Sequence, residues 1–479
     1  MHCVTDMKEK LKQDWIAWLM LLISGILLCT IAYMSPGSYG GEDSFMHYLF
    51  ARYAPVHPHL YLDHWAKPLF TLLASPFAVY GGFTGIRFFN ILCGLGTAWS
   101  AYLIARHAGW SFPWMSIPVV LFNALFFVTL LSGLTEPLFA CMLMISILLL
   151  VKRQYVSACI VLSFLPFVRS EGNLMFPLFI LAMGIEKRWK YIPLLATGSL
   201  VMSIVGGILK GDYFWIITEN PYQGAAHIYG SGSFFHFFRA NREMWGVPQS
   251  LMILAGIAAW LLSLYRNSDM RKYETLKTYI LIGGSAMVYI LAHSWFWSQG
   301  LYGSFGLIRV MAAIVPLGAL IAVFGFQYFA NLASAFRVLQ WALIAGILSV
   351  VVYDPFFQYR FPYALDTNQA LMKVAANWYR ASECKRVFTD HPYFLYAAEI
   401  DYFDPEKRLS IHRVFTDSLR ESDVVVWESH LAPNEGGVSE RQLNNASNLK
   451  RIGILDWGKN FKASLYQVHR VDTLVMRAR

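Results

Sequence analysis

The sequence predicts an all-α polytopic membrane protein of about eleven transmembrane helices, followed by a small soluble α/β domain. Three observations predict it. The chain of 479 residues is 56% hydrophobic and only 14% charged, where a soluble domain carries about 25% charged residues. The charges are unevenly spread: residues 354–479 hold 33 of them, 17 basic and 16 acidic, whereas the 353 residues before them hold 36. Apolar runs of spanning length recur through the first part and stop at 353. Lipid is the solvent of residues 1–353 and water that of residues 354–479.

The apolar runs fall at 15–34, 84–105, 113–131, 135–151, 155–168, 173–185, 191–209, 248–265, 277–294, 307–330 and 337–353. The first follows a polar, basic start and is long enough to span, so it reads as an uncleaved helix and not a signal peptide. The fifth and sixth are short and flank Arg169-Ser170-Glu171, a charged cluster that hydrocarbon does not tolerate unpaired. They read as a helix pair meeting at a polar cavity.

Orientation follows from Lys and Arg. With the N-terminus cytoplasmic, Lys8, Lys10, Lys12, Arg106, Lys152, Arg153, Lys187, Arg188, Lys190, Arg266, Arg271, Lys272, Lys277 and Arg337 fall in inner loops. An odd number of spans then puts the C-terminal domain on the extracytoplasmic side of a cytoplasmic or ER-type membrane. Two outer loops are long, 35–83 and 210–247, and rich in aromatic, His and Pro residues. In the tail, Asn368 to Arg380 forms an amphipathic helix, and Lys385 to Thr389, Val424 to Trp427 and Ala463 to Val468 read as strands.

Composition excludes some functions. The net charge of +9 lies in short inner loops and the tail is nearly neutral, so no nucleic-acid partner is expected. The six cysteines show neither a disulfide framework nor a zinc spacing. No internal repeat is visible, which counts against a transporter or flippase.

The acidic residues point elsewhere. Eight of the fourteen before Asp354 face outward: Glu42, Asp43, Asp63, Glu136, Glu171, Asp212, Glu219 and Glu243. His47, His57, His59, His64, His227, His236 and His293 join them. Singly, such residues solvate wet loops; together on one face they mark a functional site. The densest stretch is Tyr39-Gly40-Gly41-Glu42-Asp43-Ser44-Phe45-Met46-His47, followed by Asp63-His64-Trp65-Ala66-Lys67-Pro68-Leu69 and Gly85-Ile86-Arg87.

In these segments the chain resembles the C-type glycosyltransferases, in the branch of protein O-mannosyltransferases and lipid A aminoarabinose transferases. That branch carries an acidic pair in this loop, then Lys-Pro, then an Arg opening the next helix. Here the pair stands in the order Glu42-Asp43, and Leu69 follows Lys67-Pro68. Leu134-Thr135-Glu136-Pro137-Leu138-Phe139 and Val168-Arg169-Ser170-Glu171-Gly172 also look like segments of these enzymes. The resemblance implies an inverting transferase that moves a monosaccharide from a polyprenyl-phosphate lipid to a hydroxyl of a lipid, glycan or protein. A glycan polymerase or ligase is the neighbouring alternative.

The chemistry fits the residues. A phosphate-linked sugar needs cations around the phosphate and a carboxylate to take the acceptor's proton. Asp43 is the first choice for that base and Glu42 the second. Ser44 to Tyr53 reads as a helix whose N-terminal backbone amides would hold Asp43. Lys67 is the candidate phosphate contact, against the alternative that it reaches for lipid head groups. Arg169 or Arg309 supplies a second cation, although Arg169 and Glu171 could simply neutralise each other. His64 and Glu171 are candidate substrate contacts, and Arg87 reads as structural. No metal site is assigned. His57-Pro58-His59 with Asp63-His64 matches no ligand spacing, and a divalent cation on Glu42 and Asp43 is the one cofactor considered.

Overall fold

The computed structural model describes residues 2–219, 230–266, 276–302, 304–332, 335–458 and 461–468. His227, Arg271 and Lys272 lie outside them. Among the described residues, seven helices are long and apolar enough to cross a membrane: Asp14–Met34, Pro68–His107, Trp189–Lys210, Asn241–Ser263, Leu276–Gln299, Ile308–Asn331 and Arg337–Gln358. The chain is an integral membrane protein. The expected run at 113–131 is a broken pair, Pro113–Leu121 and Ala124–Leu130, bent by 67°, and counts as an eighth span if taken as one. The expected runs at 135–151, 155–168 and 173–185 are helices of 10–17 residues, short of a full crossing. The expected eleven spans are therefore seven or eight long ones and three short apolar helices.

The first helix, α1 (His2–Met34), leads through a short loop into α2 (Gly41–Tyr53). The third, α3 (Pro68–His107), has 40 residues and would measure about 60 Å if straight, twice the hydrocarbon thickness. It is not straight. Gly82, at φ 60° and ψ −149°, breaks it into an arm, 68–81, and a span, 83–107. The expected outer loop at 35–83 is thus largely helical. Period counting missed the arm because Pro76, Gly81 and Gly82 punctuate it.

Buried polar groups pin these helices together. Arg87 is 2% exposed and donates to the carbonyls of Ala32 and Ser35 at 3.0 and 2.8 Å, and to that of Gly37. It thereby satisfies carbonyls at the C-terminal end of α1 that have no intrahelical partner. At the bend, Asn123 accepts from Phe126 N–H at 3.0 Å and donates to the carbonyl of Met244 and to Oε1 of Gln249. Gln249 in turn donates to the carbonyl of Val119 at 2.7 Å. Each amide is buried and partnered, so the bend is fixed from both sides.

The tail opens with a helix, Thr367–Ala381, capped by Asp366, which accepts from Gln369 N–H at 2.8 Å. Its Met372, Ala375, Ala376 and Tyr379 share one buried face. Five strands follow: β1 (Arg386–Phe388), β2 (Arg408–Leu409), β3 (Asp423–Glu428), β4 (Leu449–Asp456) and β5 (Lys462–Val468). Their order is β2-β1-β3-β5-β4, with β2, β1 and β3 parallel and β5 antiparallel to both neighbours. The three expected strands are β1, β3 and β5. β2 has only two residues, and β4 is an edge strand of mostly exposed residues, so neither carries an apolar run. Glu428 ends β3, and its carboxylate accepts from the amides of His430, Leu431 and Ala432.

The tail is seated on the segment that follows α1. Phe45 of α2 stacks on Phe83 at 4.4 Å and meets Tyr393 and Tyr396 at 4.7 and 5.0 Å. His57 pairs with Asp401 at 2.9 Å. Gly37 N–H donates to the carbonyl of Tyr363 at 2.9 Å, and a Cβ at Gly37 would fall 1.9 Å from the carbonyl oxygen of Ala364. Only glycine lets these two strands of chain come so close.

Candidate functional site

The site forms where the N-terminus of α2 meets four other segments. Gly40 caps α2 at φ 87°, a left-handed conformation open to glycine, and a Cβ there would meet Leu134. Ser44 accepts from Gly133 N–H at 2.6 Å and bonds Ser38 Oγ at 2.8 Å. Asn90 holds the carbonyls of Ser132 and Leu134 at 2.7 and 2.9 Å. These contacts fix the start of α2 against the segment that enters the helix Glu136–Val151.

Glu42 and Asp43 occupy the first turn of α2 and point to different partners. Asp43 gives Oδ2 to the Nη2 of Arg309, and Arg309 Nη1 donates to the carbonyl of Gly40 at 2.8 Å. The expectation that backbone amides hold Asp43 is corrected. The helix starts at Gly41, its cap has no side chain, and the Asp43 carboxylate turns to Arg309 instead of folding back on the first amides. The Asp43 side chain stays 43% exposed, so a solute can reach it. Glu42 faces the tail instead, with Oε1 3.6 Å from Nε2 of His391. Burial pushes the Glu42 carboxyl up, but the imidazole of His391 beside it outweighs this and brings the value down to about 2. The two carboxylates thus do not present themselves jointly to one ion, and among the described residues no three His, Cys, Asp or Glu gather as a metal site. His57 goes to Asp401, His64 to the carbonyl of Trp215 at 3.1 Å, and Asp63 to the amide of Ala66 at 2.8 Å.

Lys67 stands at the tip of the α3 arm, at φ 67° and ψ 93°. A lysine in that region carries backbone strain, which persists only where surrounding structure imposes it, and it is found at functional sites. Asp63, which accepts from Ala66 N–H, and Thr71, whose hydroxyl donates to the carbonyl of Ala66 at 3.0 Å, hold the turn on both sides.

Arg169 lies deeper. It donates to Glu136 at 2.8 Å, to Thr135 at 3.2 Å and to Glu171 at 2.9 Å, and His293 approaches Glu171 at 3.4 Å. The arginine is shared between two carboxylates drawn from two helical segments.

His47 lies one turn after Asp43 in α2. It is 7% exposed, stacks on Trp65 at 4.8 Å, and has an Nδ1 without a hydrogen-bond partner. Burial above all holds the imidazole well below its usual value, and the positive charges of Lys67, Arg309 and Arg169 add to the effect. The charges of three cations from distant parts of the chain thus act on one buried ring.

Of the residues expected from the sequence, Asp43, Arg309, Lys67, Arg169 and Glu171 come together here. His64 sits beside them, within reach of the Lys67 charge. Glu42 is adjacent in sequence but turned to the tail. Glu136, His47 and His293 were visible as outward-facing ionisable residues without a role. His391 had no signal, since it lies in a domain with no recognisable motif.

No known family model matches the sequence, and no curated protein matches it either. Among solved structures the chain is similar to ArnT from Cupriavidus metallidurans, bound to undecaprenyl phosphate. The TM-score is 0.64 at 10% identity, over 95% of this chain and 98% of that one. Arg169→Met should leave Glu136 and Glu171 buried without their counter-charge, at a cost of about 3–5 kcal/mol. A thermal-unfolding series of the detergent-solubilised protein should show that loss, and Arg169→Lys a smaller one; an unshifted transition in Arg169→Met would refute the pairing. The chain thus has the fold of a membrane protein solved with a lipid phosphate, across nearly the whole length of both.

Proposed function

We propose that this protein is an inverting membrane glycosyltransferase of the C-type, moving a monosaccharide from a polyprenyl-phosphate lipid to a hydroxyl of a lipid, glycan or protein. The observation that carries the reading is the pairing of Asp43, in the first turn of α2, with Arg309, while the charges of Lys67 and Arg169 act on His47 one turn further on. Cations suited to a phosphate stand beside an exposed carboxylate suited to a proton, which is the requirement of this chemistry. The shared fold with ArnT, whose structure contains undecaprenyl phosphate, supports the lipid donor.

In this reading Asp43 takes the proton of the acceptor hydroxyl while that oxygen forms a bond to the anomeric carbon. The bond from the anomeric carbon to the phosphate oxygen breaks, and polyprenyl phosphate leaves with the electron pair. Lys67 and Arg309 meet the phosphate charge, and Arg169 adds to the field from its pair with Glu136 and Glu171. Glu42 is the second carboxylate on the acceptor side, and His64 and Glu171 line the sugar. Residues 1–353 form the transferase domain in the membrane. Residues 354–479 form the extracytoplasmic domain, with the N-terminus cytoplasmic.

Asp43→Asn should lower turnover roughly a hundredfold or more, with Glu42→Gln doing less. The readout is the lipid and glycan profile of cells with and without the chain, complemented by each variant. Normal transfer in both would sink the reading, and a dead Glu42→Gln beside an active Asp43→Asn would exchange the two roles. Lys67→Ala should weaken binding of undecaprenyl phosphate to the purified protein by about 1.5–3 kcal/mol, the scale of one hydrogen bond to a charged group, and Lys67→Arg by less. Unchanged binding in Lys67→Ala would assign Lys67 to lipid head groups instead. Asn434→Cys, on the exposed face of the tail, should react with a membrane-impermeant thiol reagent in intact cells. Labelling only after lysis would invert the topology and move the site to the wrong side.

A further inference from the structure

Among the described residues of the tail, His391 is a buried ionisable group that faces the acidic pair. It precedes the tail helix Pro392–Ala398 and caps it, with Nδ1 accepting from Phe394 N–H at 3.4 Å. The ring is 1% exposed and lies edge-on to Phe461 at 6.2 Å. Because Nδ1 is an acceptor, the proton of the neutral ring belongs on Nε2. Nε2 has no closer hydrogen bond among the described residues and looks at Oε1 of Glu42 across 3.6 Å. The cap thus sets the tautomer, and the tautomer aims a donor out of the tail at α2.

We propose that His391 is a positioning residue of the transfer site, through which the C-terminal domain holds Glu42 apart from Asp43 and leaves Asp43 as the ion-pair partner of Arg309. This rests on the reading of Asp43 as the base. Two adjacent carboxylates raise each other's proton affinity when they crowd one cation, and both then become poorly defined as bases. Held by His391, Glu42 stays ionised and fixed, and Asp43 keeps its place. The depressed value of the Glu42 carboxyl agrees with this. Other tail groups bear on the same place: His430 attracts Glu42, Asp366 repels it, and Glu435 faces the charge of Asp43. The aromatic contacts of Phe45 with Tyr393 and Tyr396 keep the tail helix seated, so the geometry is built into the docking of the domain. The C-terminal domain is then a component of the catalytic site, acting on the acceptor side and not on the lipid phosphate.

Two substitutions separate this role from a structural one. His391→Asn retains an acceptor for the amide of Phe394 but is too short to reach Glu42. His391→Gln loses the cap and places an amide N–H near the position of Nε2. In cells lacking the native chain, the transferred product should fall about 10- to 100-fold with His391→Asn, the scale of a displaced catalytic group. It should recover to within about threefold of wild type with His391→Gln, since one donor replaces another. Undecaprenyl phosphate should bind both purified full-length variants as it binds the wild type. On a Glu42→Gln background, His391→Asn should cost nothing further, because the pair acts as a unit. Wild-type product in His391→Asn overturns the proposal. So does a full further loss on the Glu42→Gln background, and so does a parallel fall of product and undecaprenyl phosphate binding in both variants, which marks mere destabilisation. The Asp43→Asn variant in the same cells keeps the two readings apart. Product from Asp43→Asn would remove the base on which the proposal rests, whereas an inactive Asp43→Asn beside a fully active His391→Asn would remove the role of His391 alone.

Discussion

The pairing of Asp43 with Arg309 is the contact on which the site depends. It joins positions 266 residues apart, the first turn of α2 and the beginning of the last but one long span among the described residues. Arg309 also holds the carbonyl of Gly40, so one guanidinium fixes both the backbone entry of α2 and its acidic side chain. Arginine suits this task because its planar fork serves two acceptors at once and stays charged when buried. Without it, the entry of α2 at Gly40 would keep only the hydroxyl and amide contacts of Ser44 with Ser38 and Gly133. The field that Lys67, Arg169 and Arg309 exert on His47 follows from that placement.

Charge inside an apolar body is costly, and this chain meets the cost by sharing. Arg169 serves Glu136 and Glu171, Arg87 serves three carbonyls, and Arg309 serves a carboxylate and a carbonyl. Each satisfied group relieves a desolvation penalty of several kcal/mol. The same economy leaves a few groups open, Nδ1 of His47 and Nε2 of His391 among them. Both lie at the faces of the acidic turn.

The large features were legible in the sequence because they follow from solvent. Charge density separated the tail from the rest, and apolar runs located the long spans, closely for Asp14–Met34, Trp189–Lys210 and Ile308–Asn331 and less closely at the ends of the others. The helix Thr367–Ala381 and three of five strands were readable from periodicity. What escaped were features set by tertiary contact. The α3 arm hid behind its glycines and proline, and β4 is an exposed edge without apolar alternation. At the site, residue types and order pointed to Asp43, Lys67, Arg169 and Arg309. Sequence could not say which cation meets which carboxylate, because those partners are 33 and 266 residues apart and chosen by packing. His391 was out of reach altogether, since its meaning lies in which ring nitrogen the Phe394 amide occupies.

The break at Gly82 has a consequence for how the protein lives in membranes of unequal thickness. A span tilts to match the bilayer around it, and a continuous helix would carry that tilt to its far end. In α3 the far end is Lys67. The left-handed turn at Gly82 interrupts the rod, and Arg52 clamps the arm side through the carbonyls of Ala78 and Val79. The far end of span 83–107 can therefore lean with a thinner or thicker bilayer, while its near end stays pinned through Phe83 and Arg87 and the arm, with the lysine at its tip, keeps its register with α2.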